Sequence, residues 1–243
     1  MFNYLEIEFI KLKRSKIFLL TILGAIFPSF LMFLSERFGE FAETVSFQTF
    51  LNVTNMYMSV IFVILLFTII ISYLFGREYN EHTLKTIITA PTSRTTFILS
   101  KYLMFLVWIL IITLVSSISA ILFGYIAGAT GLTVNVIINN FKELLYCNLL
   151  LFLTFSPLVF ISLIITNMIP AMIGGAVLTF TNMIATSSKY GVYFPWSCPY
   201  LLASGEIAQY TGNYSISYII IIATFIIGLI ASHIYFTRKD IPL

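Results

Sequence analysis

The side chains capable of reaction chemistry are few in this chain, and they are scattered. It has two cysteines, Cys147 and Cys198, and two histidines, His82 and His233. The cysteines lack metal or redox spacing, and histidines 151 positions apart give no evident metal pair. Leu202-Ala203-Ser204-Gly205 is the nearest approach to a serine-nucleophile setting, but no histidine is placed to act as its base. There is no GxxxxGK[ST] run to cradle nucleotide phosphates and no HExxH. No catalytic residue, metal site or bound cofactor is therefore expected. What does cluster is charge. Only 9% of the 243 residues are charged, yet Arg77, Glu78, Glu81, Lys85, Arg94 and Lys101 fall within 25 positions. A segment that short cannot build its own core. It must serve as a surface against which another protein presses.

The elements that hold this polar island are apolar. Hydrophobic residues make up 59% of the chain and mean hydropathy is +0.99, against about 45–50% apolar in soluble domains. The reading is an all-α integral membrane protein with six transmembrane helices. Six runs are long enough to cross about 30 Å of hydrocarbon: residues 17–34, 57–75, 102–126, 144–165, 168–185 and 216–235. None contains Asp, Glu, Lys or Arg. Helices are expected because backbone groups in lipid must be satisfied within their own segment, and a barrel would alternate strictly. No carboxylate is buried near the midplane, which argues against an ion-driven transporter. No cleavable signal is expected, since a charged lead precedes the first apolar run.

Ten of the thirteen Lys and Arg residues fall on one side if the N-terminus is inside, leaving Arg37, Lys142 and Lys189 outside. That bias places both termini and the island in the cytoplasm. Residues 1–16 carry Phe2, Leu5, Phe9 and Leu12 at helical spacing. They read as an amphipathic helix in the inner headgroup plane, or as a basic flank that only anchors span 1. Residues 17–243 form a single membrane domain. Pro28, Pro157 and Pro170 should kink or break their spans unless they fall in a first turn. Thr166 and Asn167 leave room only for a tight hairpin between spans 4 and 5. The loop at 186–215, with Pro195, Trp196 and Pro199, is semi-apolar and suits short helices dipping into the outer leaflet. Cys147 reads as a small buried side chain, and Cys198 as a loop thiol with nothing nearby to activate it. Ser116, Ala120, Gly124 and Gly128 are spaced four apart on span 3. Such a stripe admits close helix packing, either within the chain or between subunits.

Within the island, 78–90 reads as a short helix with Leu84, Ile87 and Ile88 on one face. Pro91 stops it, and Thr92 or Ser93 caps the next. Here Arg77-Glu78-Tyr79-Asn80-Glu81-His82-Thr83-Leu84, then Pro91-Thr92-Ser93-Arg94 and Lys101, resembles the pattern of ABC-2 type transporter permeases. The small residue that usually precedes the Thr-Leu pair is His82 here. Residues 8–16 resemble the family's interfacial helix, and Arg238-Lys239-Asp240 its cytoplasmic tail. The resemblance covers essentially the whole chain.

It implies a permease that pairs with an identical or sister permease and binds two soluble ABC ATPase subunits, which hold the ATP and Mg. The 76–101 segment would be the cytoplasmic coupling helix, with Glu78, Glu81, Thr83, Leu84, Pro91 and Arg94 in contact with the ATPase. The 186–215 loop would correspond to the family's outer re-entrant helices. The chain looks most like the permeases that protect Gram-positive bacteria from lantibiotics or bacitracin-like peptides. The expected setting is a bacterial plasma membrane, the expected cargo an amphiphilic peptide, and no nucleic acid is expected as a partner. Cargo would pass between paired permeases along faces of spans 2 and 5. Glu36, Glu40 and Glu43 stand at i, i+4 and i+7 in the first outer loop. If helical, they form either an acidic stripe that gathers cationic peptides or a solvated helix face. Two rival readings stand beside the peptide exporter. One is export of another amphiphile, such as a drug or lipid. The other is a non-transporting scaffold or sensor whose island recruits a cytoplasmic partner.

Overall fold

The computed structural model describes residues 15–39, 45–80, 94–165, 167–211 and 213–238, with Phe9 and Lys11. Every regular element among these residues is a helix. Six helical segments are long and apolar enough to cross a bilayer. The lead segment, apart from Phe9 and Lys11, lies outside the described residues.

Span 1 is α1, Lys16–Phe38, begun by Ser15, whose hydroxyl accepts from Ile17 N at 3.1 Å. Pro28 does not end it, although its missing N–H leaves the Gly24 carbonyl without its usual intrahelical donor. Span 2 is composite. It runs as α2 (Phe47–Tyr57), a π turn (Met58–Phe62) and α3 (Val63–Asn80). The span starts ten residues before the apolar run that marks it in the sequence. Gln48, Thr49 and Asn52 lower the local hydropathy there. Yet Phe47, Phe50, Leu51, Thr54 and Asn55 recur at helical spacing and form a buried face.

Span 3 is α4, Arg94–Ile126. Span 4 is again broken, as α5 (Val134–Thr154) and α6 (Ser156–Ile164). It too begins ten residues early, capped by Thr133, and so takes in Lys142 and Glu143, the latter half-buried. The expectation of charge-free spans is corrected at this helix. Pro157 lies in the first turn of α6, just after the break at Phe155. Asn167 caps α7 (Met168–Thr186) by accepting from Ile169 N at 3.2 Å, so the hairpin is as tight as expected. Pro170 falls in that first turn, where its lack of an N–H costs nothing. Span 6 is α9, Ser215–Arg238.

Span 2 is the axis of the bundle. Within its most apolar stretch 78% of residues are buried, against 22% in spans 5 and 6. Phe67 of α3 meets Phe105 of α4 and Phe155 edge-on, at centroid distances of 5.2 and 5.4 Å. Most of the cargo face expected on span 2 is thus covered by this chain's own helices. Glycines mark the tightest crossings. A Cβ on Gly175 would lie 2.5 Å from Thr68 Cγ2, and one on Gly228 would lie 2.5 Å from Pro157 N.

Between α7 and α9 the chain forms a 3-10 turn (Gly191–Tyr193), α8 (Cys198–Ser204) and a second 3-10 turn (Glu206–Gln209). Gly205, at φ +76°, ends α8 in the left-handed conformation that favours glycine. Tyr200, Leu201 and Ile207 are buried in the main core, with Trp196 packed against it. This connector therefore folds back onto the bundle.

Candidate functional site

The described part of the island end is built from α1, α3 and α4. Arg77 donates from Nη1 to Tyr73 Oη at 2.5 Å, and its guanidinium stands 5.3 Å over the same ring. Tyr73 packs edge-on against Trp108, which donates from Nε1 to Thr21 Oγ1 at 3.0 Å. The three helices are thereby joined in one chain of contacts. Lys101 is only 1% exposed, and its ammonium stands 5.3 Å above the Phe97 ring. A desolvated cation–π contact of this kind contributes up to about 2 kcal/mol.

Of the expected coupling residues, Glu78 lies in the last turn of α3 and Arg94 is the first residue of α4. Their side chains lie outside the described residues, as do Glu81, Thr83, Leu84 and Pro91. Glu36 is in the last turn of α1, half-buried, while Glu40 and Glu43 are outside the described set. Ser116, Ala120 and Gly124 are buried on α4. Ala120 packs with Met32, Phe47, Phe50 and Leu51, and a Cβ on Gly124 would lie 2.7 Å from the Phe47 ring. This chain's own α1 and α2 cover that stretch. Gly128 lies past the end of α4, in a turn with φ +81° and open space around it.

Away from the island, polar side chains pin the helices to one another inside the bundle. Asn55 Nδ2 donates to Asn140 O at 3.2 Å, joining α2 to α5. Asn148 Nδ2 donates to Thr113 Oγ1 at 2.8 Å, joining α5 to α4. Asn182 Nδ2 of α7 donates to Val60 O in the π turn at 3.0 Å. Ser29 and Ser119 share a hydrogen bond of 3.0 Å between α1 and α4. Sequence reasoning missed these ties. For Asn148 and Asn182 the signal was nonetheless present, as asparagines inside apolar runs, where an amide must find a partner on a neighbouring helix. Ser156 holds the break in span 4 against α9, donating to Thr224 O and Phe225 O, both at 3.1 Å.

Neither candidate reactive side chain in the connector before α9 is set up to react. Cys198 is buried and its Sγ donates to Val192 O at 3.1 Å. Burial pushes its thiol pKa up to about 11, so this loop thiol, for which the sequence offered no activating neighbour, sits buried and inert at the start of α8. Ser204 only caps, accepting from Glu206 N at 3.3 Å. Among the described residues no three His, Cys, Asp or Glu side chains could hold a metal. The architecture is one of helices tied at defined points around a central span, with a basic and aromatic end beside the polar island.

Comparison with known proteins decides what such a bundle is. Residues 4–182 match the family model described as ABC-2 family transporter protein. The chain belongs to this family. The bacitracin transport permease protein BCRB of Bacillus licheniformis is 35% identical over 198 residues, which cover 81% of this chain and 94% of that protein. No solved structure matches the chain. This ABC-2 protein is thus a multi-pass integral membrane permease of an ABC transporter. The matched residues include the whole polar island and end in α7, so α9 lies beyond them. Membership of the family implies association with an ABC ATPase.

Proposed function

We propose that this permease is the membrane-spanning subunit of an ATP-driven exporter that expels antimicrobial peptides, of the bacitracin or lantibiotic class, from a bacterial plasma membrane. The observation that carries the reading is the 35% identity extending over 94% of a bacitracin transport permease. ATP and Mg reside on separate soluble ATPase subunits, in keeping with a sequence that has no phosphate-cradling loop. The 76–101 segment docks on those subunits through Glu78, Glu81, Thr83, Leu84, Pro91 and Arg94, with both termini on the same, cytoplasmic, side.

Motion received there passes into α3 and α4, which meet at Tyr73 and Trp108. Cargo moves between this permease and a second one, identical or sister. It passes along α7, where Ile173, Val177, Phe180 and Ile184 form an uncovered apolar stripe. Glu36, Glu40 and Glu43 attract cationic peptide at the outer rim. The connector at 186–215 forms the outer re-entrant element, a reading supported by the burial of Tyr200, Leu201 and Ile207.

The test is co-expression of the permease with an ABC ATPase recovered from its own host, in a peptide-sensitive strain. Resistance to bacitracin or nisin should rise, and ATPase activity of the reconstituted complex should be stimulated by the same peptide. An ATPase that copurifies but gives neither response would remove the cargo assignment and leave the transporter. Failure to recover any ATPase would sink the exporter reading itself.

A further inference from the structure

One exposed stripe runs along α5 at helical spacing and reads Asn135, Asn139, Lys142, Tyr146 and Leu149. Two amides and a cation are followed by a phenol and then by hydrocarbon. A membrane presents water, headgroup and acyl chain in that order. Span 2 repeats the sequence. Gln48 and Asn52 are exposed near the start of α2 and Tyr57 at its end, and the partly exposed Ile61 and Leu65 that follow are apolar. A face against lipid looks different in this chain: on α9 the exposed side chains include Ile219, Ile222, Ile226 and Ile230. Val134 and Ile138 are apolar exceptions on α5, of a kind every wet surface carries.

The spacing of these markers fits the thickness of a bilayer. Lys16 and Arg37, at the two ends of α1, stand about 31 Å apart along the helix. On span 2, Arg77 and Tyr57 stand about 30 Å apart. Both match about 30 Å of hydrocarbon. Lys101 and Tyr125 on α4 are about 36 Å apart, which a tilt of about 30° reduces to the same depth. Tyr218 shares a 2.6 Å hydrogen bond between hydroxyls with Tyr146, which sets α9 level with α5. The helices beyond the tyrosines are packed from beneath. Phe47, Phe50 and Leu51 of α2 cluster with Met32 and Ala120, and the Asn55 amide ties α2 to the Asn140 carbonyl of α5.

We propose that Tyr57, Tyr125, Tyr146 and Tyr218 form a belt seated in the lipid headgroups of the leaflet opposite the island. Residues 47–56 of α2 and 134–145 of α5 then stand beyond the belt, in water, as a helical lobe about 15 Å tall. The partner of the belt is the headgroup layer, where an amphipathic ring keeps its apolar body in the membrane and its hydroxyl among polar groups. Lys142 and Glu143 belong to the helix of span 4 but not to the part that crosses hydrocarbon. The inference requires only that the bundle spans a membrane, and it is independent of the cargo.

The full-length permease with single added cysteines would be reconstituted in vesicles of phosphatidylethanolamine and phosphatidylglycerol. Freeze–thaw would open both faces to a membrane-impermeant sulfonated maleimide. The reagent needs a thiolate, which forms in water and not in hydrocarbon. Asn52→Cys and Asn139→Cys should label to completion, and Ile226→Cys should not label. Bimane attached to Tyr125→Cys should be quenched more by a nitroxide near the ester end of the acyl chain than by one near its middle. Bimane at Ile226→Cys should show the reverse. Should Asn52→Cys or Asn139→Cys fail to fold, Gln48→Cys or Asn135→Cys on the same stripe takes its place. Protection of either polar position from maleimide, by lipid or by a partner, overturns the lobe. Stronger quenching of Tyr125→Cys by the deeper nitroxide overturns the belt.

Discussion

Asn182 on α7 donates its amide to the carbonyl of Val60, 122 residues earlier, at 3.0 Å and wholly out of contact with solvent. That carbonyl lies in the π turn Met58–Phe62, where Val63 N bonds to Met58 O five residues back and the regular α ladder is interrupted. The wide turn and the amide that satisfies it form one device. π turns of this kind occur mostly at functional positions in helices.

Replacing Asn182 with Leu leaves the Val60 carbonyl without that donor and is expected to lower stability. Interhelical hydrogen bonds in membranes contribute about 0.6–1.7 kcal/mol, so a melting shift of a few degrees is expected in detergent. Asn182→Gln should not rescue it, because the longer side chain cannot hold the same geometry. A thermal melt of the three proteins side by side checks both statements.

Two helical glycines should respond in opposite ways to alanine. Gly228 faces the Ser156–Pro157 backbone, and a Cβ there forces α9 away from α6. The Ser156 bonds to Thr224 O and Phe225 O would be lost together, and folded yield should fall sharply. Gly174 has nothing within 4 Å. Gly174→Ala should be neutral or stabilising by up to about 1 kcal/mol, the usual gain in a helix interior. Size-exclusion profiles and melts of the two variants separate the cases.

Cys198 gives a pH signature. Its thiol ionises near pH 11 when folded, through burial, against about 8.5 in an unfolded chain. The unfolded state therefore loses its proton first, and stability falls as pH rises from about 8.5 towards 11, with no loss below that window. Cys198→Ser should flatten this decline. Maleimide at neutral pH should label neither Cys198 nor Cys147 in the folded protein, and both after unfolding in dodecyl sulfate. Rapid labelling of the native state would contradict the burial of both groups.

The island is tested by charge reversal and by polarity. Glu78→Lys and Leu84→Asp are each expected to abolish peptide resistance while surface levels and membrane insertion stay normal. In the reconstituted complex, ATP hydrolysis should lose its response to peptide. Loss of insertion instead would assign these residues to the fold.

Much of this fold was legible in the sequence, because about 20 apolar residues have few alternatives once water is absent. Misjudged were places where burial did not depend on hydropathy. The Asn55 amide donates to the Asn140 carbonyl inside the bundle, and α2 and α5 both start well before the apolar signal does. The π turn left no mark, since Met58 to Phe62 are ordinary apolar residues. Pro28 argued for a kink or a break, and the helix runs on through it without a break, whereas Pro157 does accompany one. The difference between them is not local. Ser156 is held by α9 on the far side of the break, a contact no window of sequence contains. At the candidate site the composition of the island was plain from charge alone. The Arg77–Tyr73–Trp108–Thr21 chain behind it joins residues up to 87 positions apart and was not.

The length of α4 has a mechanical meaning. Its 33 residues hold no proline, and at 1.5 Å per residue they make a rod of about 50 Å, well over the hydrocarbon thickness. Its first residue stands at the island and its last at the opposite rim, beside the turn that receives α2 through the Phe47 N to Thr130 O bond. Tilting such a rod by about 5° swings its far end by about 4 Å, close to one helical rise of three residues. On the coupling proposed above, a rod of that length would need no intermediate joints, and a nudge at one face of the membrane would reach the other in a single stroke.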